Sequence, residues 1–157
     1  MPTLDESEIS LLSRLRRNAR ESLSSISRAA GVSVTTLFYK HRKLEKELIA
    51  KYASIMNFTA LGYGVRVWLV ARTSRKKSAA VEGILRTNKN VNNAYRVAGE
   101  QGLNATEYLV EAIFRDYGKT QEFAQKLAYA GARVALLAVT SEELKKEGFL
   151  TRPEHYY

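Results

Sequence analysis

The chain has 157 residues, of which 45% are hydrophobic and 26% charged, a composition that suits one ordinary globular domain or two small ones. It contains no cysteine and only His41 and His155, which excludes disulfides, thiolate zinc sites, cysteine nucleophiles and histidine-rich metal centres. The formal net charge is +9, spread over both parts of the chain: 10 Lys/Arg against 6 Asp/Glu in residues 1–57, and 15 against 10 in the rest. Such a balance favours polyanionic partners, because neutralising phosphates releases condensed counterions.

No apolar run is long enough to span a membrane, and MPTLDESEIS has no basic-then-apolar order of a secretory signal. The expectation is a cytoplasmic protein that makes no membrane contact and needs no metal or cofactor. The scarcity of histidine and the lack of cysteine leave no catalytic constellation, so no enzyme is expected.

In chain order, Ile9, Leu12 and Leu15, with Leu11 beside them, form the apolar stripe of a first helix. Asp5 and Glu8 have capping-box spacing at its start. Ser22 is placed to cap a second helix carrying Leu23, Ile26, Ala29 and Ala30 inward. Gly31 follows where a tight turn needs positive φ, and Ser33 caps a third helix reaching about Glu47.

A short helix, a glycine turn and a longer helix have the proportions of a helix-turn-helix. At about 100° per residue, Leu37, Leu44, Leu48, His41 and Phe38 share one arc of the third helix. Thr35, Thr36, Tyr39, Arg42, Lys43 and Lys46 occupy the opposite arc, with Lys40 on its flank. Hydroxyls at the helix start, Ser33 included, can approach base edges or phosphates. Tyr39 and Arg42 have the reach for bases. Lys40, Lys43, Lys46 and Arg28 suit phosphates. The bland alternative is a solvated helix face. His41 is either a pH-responsive group or a partly buried core histidine.

From Leu48 the period changes. Residues 49–56 read as a strand, 57–63 as a connector, and Val65 to Arg72 alternate as a strand. Ser74 to Lys77 is a loop, and 78–89 a helix with Val81, Ile84 and Leu85 inward. A strand near 92–98, a loop over 99–106 and a strand over 107–115 follow. A helix over 119–129, a strand over 134–139 and a last short helix SEELKKEG capped by Ser141 complete the chain. The order β-α-β-β-α-β is that of a ferredoxin-like fold. The expected organisation is a winged-type helix-turn-helix domain over 1–48, a linking strand and connector over 49–63, and a ferredoxin-like α+β domain over 64–157.

The stretch LDESEISLLSRLRRNARESLSSISRAAGVSVTTLFYKHRKLEKE resembles the N-terminal domain of the Lrp/AsnC (feast/famine) regulators. The residues that carry the likeness are Leu4-Asp5, Asn18-Ala19-Arg20, Ile26-Ser27, Gly31-Val32-Ser33 and Arg42-Lys43-Leu44-Glu45. Val97-Ala98-Gly99-Glu100 and Glu107-Tyr108 continue it into the second domain. The resemblance implies a transcription regulator that binds double-stranded DNA at palindromic sites as a homodimer, or as a tetramer or octamer. It also implies an amino-acid effector bound near Gly99, Glu100, Gly102, Asn104 and Thr106. Two departures stand out. His41 occupies a place the family fills with an aliphatic residue, and Gln101 to Thr106 make the turn longer than the family's. This loop either lines an effector pocket or is a plain hairpin connection. The alternatives are a sirohaem-decarboxylase-like enzyme of the same architecture, an architectural DNA-binding protein without strong sequence preference, and a protein-interaction module.

Overall fold

The computed structural model describes residues 4–98, 105–143 and Thr151. The chain divides into two compact units, with the boundary after Ile55.

The first unit is built from α1 (Glu6–Arg17), α2 (Leu23–Ala30) and α3 (Val34–Glu47). Each helix begins where a side chain can take orphan amides. Asp5 accepts from Ser7 and Glu8 at 3.0 Å each, while Glu8 returns a bond to the Asp5 amide at 3.1 Å, so the expected capping box is present. Ser22 and Ser33 cap α2 and α3 through Ser25 and Thr36. Gly31 stops α2 with φ at 67°, a left-handed conformation that costs a side-chain-bearing residue energy. Leu11, Leu15, Ile26, Leu37 and Leu44 close the core. At the rim, Ala29, Phe38 and Leu48 are exposed rather than inward. Three short helices enclose a core only a few leucines wide, and the edges of each apolar arc fall outside it.

No strand forms over 49–56. Residues 50–56 carry no regular secondary structure, and Tyr52, Ile55 and Met56 lie exposed. A strand exists only where another pairs with its backbone groups, and no described strand pairs with this segment. The first unit accordingly contains no wing strand among its described residues.

The second unit runs β1 (Val65–Ser74), α4 (Ser78–Thr87), β2 (Val91–Val97), β3 (Ala105–Phe114), α5 (Tyr117–Tyr129) and β4 (Ala132–Val139). A single 3-10 turn at Arg75–Lys77 replaces the expected loop. The sheet order is β2-β3-β1-β4, with every neighbouring pair antiparallel. This is the ferredoxin-like arrangement. Val67, Leu69 and Ala71 of β1 alternate inward and meet Tyr108, Val110, Ala112 and Phe114 of β3. Val81 and Leu85 of α4 and Phe123 and Leu127 of α5 cover that face.

The expected 99–106 loop is shorter than anticipated at its far end, because Ala105 and Thr106 already pair with Ser74 and Thr73 in β3. Gly99, Glu100, Gly102 and Asn104 lie outside the described residues. The last helix expected at SEELKKEG lies mostly outside them too, and its first three residues, Ser141 to Glu143, are not helical.

The sheet face turned away from α4 and α5 mixes apolar residues with ion pairs. Trp68, Val70 and Leu109 are half-buried there, beside the exposed Tyr95. On one side Arg72 donates to Glu107 at 2.7 Å. On the other, the buried Glu111 is 3.3 Å from Arg66 and accepts from Asn92 and Asn93 at 2.7 and 2.5 Å. A buried carboxylate is tolerated because its lone pairs are occupied in this way.

Candidate DNA-binding face

The turn before α3 is held from inside. The buried Ser27 hydroxyl donates to the Val32 carbonyl at 2.7 Å, and the Val32 amide to the Ser27 carbonyl at 3.2 Å. Leu37 and Leu44, seven residues apart and without exposed surface, key one side of α3 into the core. This fixes which side faces out. Thr35, Thr36, Tyr39, Arg42, Lys43 and Lys46 are all exposed, and Tyr39 is 69% accessible.

At the helix start the Ser33 and Thr36 hydroxyls lie 2.8 Å apart, bonded to each other, with Thr35 exposed beside them. The free amides and the helix dipole make this end favourable to a phosphate. One turn on, Phe38 and Tyr39 meet edge to face, their ring centroids 5.9 Å apart. The Arg42 guanidinium lies over the Phe38 ring at 5.5 Å. Phe38 shares the apolar arc of α3 with Leu37 and Leu44 but lies outside the core, where it supports Arg42. A guanidinium stacked in this way is pre-oriented and keeps its donors free for a base edge.

The lysines divide into two kinds. Lys40 is drawn back onto α1, where it binds the Asp5 carboxylate and, at 2.7 Å, the Ser7 hydroxyl. Lys43 reaches the buried Glu8 at 3.1 Å. Both are thus tied to the capping box of α1. Lys40, followed by the Ser7 hydroxyl, holds the Asp5 carboxyl well below the usual carboxylate range. The bond to Glu8 raises Lys43. Lys46 and Arg28 are exposed, Arg28 leaning towards the Ser24 carbonyl at 3.5 Å. Sequence reasoning located the capping box and the basic face separately. The pairs joining them span 33 to 35 residues, and no local signal announces them.

His41 has the acidic neighbour that sequence inspection did not assign to it. Its Nε2 lies 2.8 Å from the Tyr52 hydroxyl and 3.7 Å from Glu45. The spacing of Glu45 at i+4 was the available signal.

In the second unit Thr106 is half-buried at the start of β3. A cavity of about 270 Å³, lined by Phe58, Leu61, Tyr63, Lys89 and Ile113 among others, lies toward the other end of that strand. No cluster of three metal-ligating side chains occurs among the described residues. No helix among them is long and apolar enough to cross a membrane.

The fold and this face define the class of architecture: a helix-turn-helix unit followed by an α+β unit of ferredoxin-like topology. No protein-family profile matches the chain. An uncharacterized HTH-type transcriptional regulator of Pyrococcus furiosus is 29% identical over 132 residues, 81% of either chain. A transcriptional regulator of Neisseria meningitidis, solved as its complex with L-Met, superposes with a TM-score of 0.79 at 20% identity, covering 92% of this chain and 94% of that one. LrpC of B. subtilis also gives 0.79 at 20% identity, over 92% and 99% of the two chains. An AsnC family transcriptional regulator from Agrobacterium tumefaciens gives 0.77 at 19%, over 91% and 94%. The chain therefore has the fold of the Lrp/AsnC regulators.

Proposed function

We propose that this chain is a sequence-specific transcription regulator of Lrp/AsnC type, acting in the cytoplasm on palindromic operators as a dimer or higher oligomer. The observation that carries this reading is the outward face of α3. Tyr39 and a Phe38-supported Arg42 stand at its centre, hydroxyls at its start and Lys46 at its end. Tyr39 and Arg42 read bases; Lys46 and Arg28 hold phosphates. Residues 1–48 serve as the DNA-binding domain and 64–157 as the oligomerisation domain.

Association through the sheet face turned away from α4 and α5 is supported by its apolar centre at Trp68, Val70 and Leu109, flanked by charge pairs. A two-fold dimer presents two α3 helices to half-sites a helical turn apart, or a multiple of it. An amino-acid effector is supported by the L-Met complex of the Neisseria protein, and residues 99–106 are its proposed site.

The test is selection of binding sites from random duplexes at two salt concentrations, followed by variants. Arg42→Ala and Tyr39→Ala are expected to relax the selected motif. Lys46→Ala is expected to weaken every sequence alike and to reduce the salt slope by about 0.9 per protomer. Wild-type protein that binds duplexes but selects no motif would overturn sequence-specific reading.

A further inference from the structure

Several cations of the second unit are answered by carboxylates: Arg66 by Glu111, Arg96 by Glu82 and Lys119 by Glu122. At one pole of its sheet, cations cluster instead. Arg75, Lys76 and Lys77 make the single turn joining β1 to α4, and all three are exposed. In the register of β1 with β4, Arg72 sits directly opposite Arg133. Like charges facing each other across a ladder repel and weaken it. Arg72 is answered by Glu107. No ion pair forms at Arg133, Arg75, Lys76 or Lys77 among the described residues.

The backbone brings these groups together firmly. The Thr73 hydroxyl donates to the Gly131 carbonyl at 3.1 Å, tying the end of β1 to the start of β4. Gly131 has φ at 92°, and a Cβ there would come within 2.3 Å of the Lys77 Cδ. The glycine thus provides the positive φ and lets the lysine stem lie across the turn, two residues from Arg133. Five cations gather at this pole with Glu107 as the paired acid. A surface built only for solubility intersperses its signs.

We propose that this pole is a second contact surface for duplex DNA, carried by the α+β unit; the inference rests on the reading that the chain binds DNA. Arg75, Lys76, Lys77 and Arg133 have no ion pair to break among the described residues, unlike Lys40 and Lys43. The contact is to the backbone, so it adds affinity and salt dependence but no sequence preference.

The experiment measures affinity of the full chain for one long duplex across a salt series. Arg75→Ala/Lys76→Ala is compared with Arg86→Ala/Lys89→Ala, which removes the same charge at the far end of α4. The first pair is expected to flatten the salt slope by about 1.8 per protomer, so that the wild type's advantage shrinks about tenfold between about 50 and 200 mM salt. The second pair is expected to leave the slope unchanged, and both to keep the wild-type motif. Arg133→Gln guards against a folding defect. It relieves the repulsion with Arg72, so its melting temperature is expected to rise while its slope falls by about 0.9. Wild-type slopes in Arg75→Ala/Lys76→Ala and in Arg133→Gln would overturn the proposal, as would an equal loss in the Arg86/Lys89 pair. Wild-type protein that binds no duplex at any salt would overturn this inference together with the DNA-binding reading. Wild-type protein that binds beside variants of unchanged slope overturns the inference alone.

Discussion

Asp5 is where helix capping and the charge of α3 meet, and substituting it separates the two. Its carboxylate takes two amides of the first turn of α1 and the Lys40 ammonium. Asp5→Ala removes the cap, which costs about 1 kcal/mol. It also removes the pair with Lys40, which adds at most about 0.5 kcal/mol because the Asp5 side chain is 54% exposed. In a unit of this size about 1.5 kcal/mol corresponds to a melting shift of roughly 6–12 °C. Asp5→Asn keeps an oxygen for the amides and loses only the charge, so it is expected to melt within about 4 °C of the wild type. DNA binding should move the other way. With Asp5 neutral, Lys40 is released, and the salt slope of Asp5→Asn is expected to steepen by up to about 0.9 per protomer. Thermal melts followed by circular dichroism, together with binding titrations at several salt concentrations, measure both. If Asp5→Asn melts as low as Asp5→Ala, the ion pair rather than the cap holds the helix. An unsteepened slope would mean that the freed Lys40 reaches no phosphate.

The same carboxylate predicts a pH response. Because its pKa is depressed in the folded chain, its contribution is fully present above the ordinary carboxylate value and is lost as the pH falls from there through the depressed value. Urea midpoints should therefore drop below about pH 4 in the wild type and less steeply in Asp5→Asn. Leu37→Ala, at a site with no exposed surface, is expected to cost about 2–5 kcal/mol and to abolish DNA binding. The α+β unit, with its own core, should keep its melting transition in that variant; loss of both transitions together would show that the units fold as one. Lys43→Ala leaves the Glu8 carboxylate buried without its cation. It is expected to lower the melting temperature as well as weaken DNA binding, whereas Lys46→Ala should affect binding alone.

Much of this protein is written locally. Asp5, Ser22 and Ser33 announce their helices because a cap needs only an oxygen near two or three amides in the next turn. Gly31 marks the turn because the left-handed region penalises a Cβ. The alternation of Val65, Val67, Leu69 and Ala71 states which face of β1 is inward, since the period of a strand is two. The polar arc of α3 was legible because Leu37 and Leu44 leave only one side free.

Tertiary structure decided what depends on distant neighbours. Residues 49–56 do not form a strand, because pairing belongs to two segments and no described strand supplies the second. Phe38 sits outside the core, since the few residues of α1 and α2 leave no room at the edge of its arc, and there it serves Arg42. Lys40 and Lys43 look like free phosphate ligands in sequence. Helix α1 supplies Asp5 and Glu8 to hold them, and that pairing separates them from Lys46. Arg72 and Arg133 are ordinary surface residues until the β1–β4 register sets them side by side. A side chain's identity follows from the sequence, whereas its partners, and hence the charge it can offer a ligand, follow from which elements the core packs together.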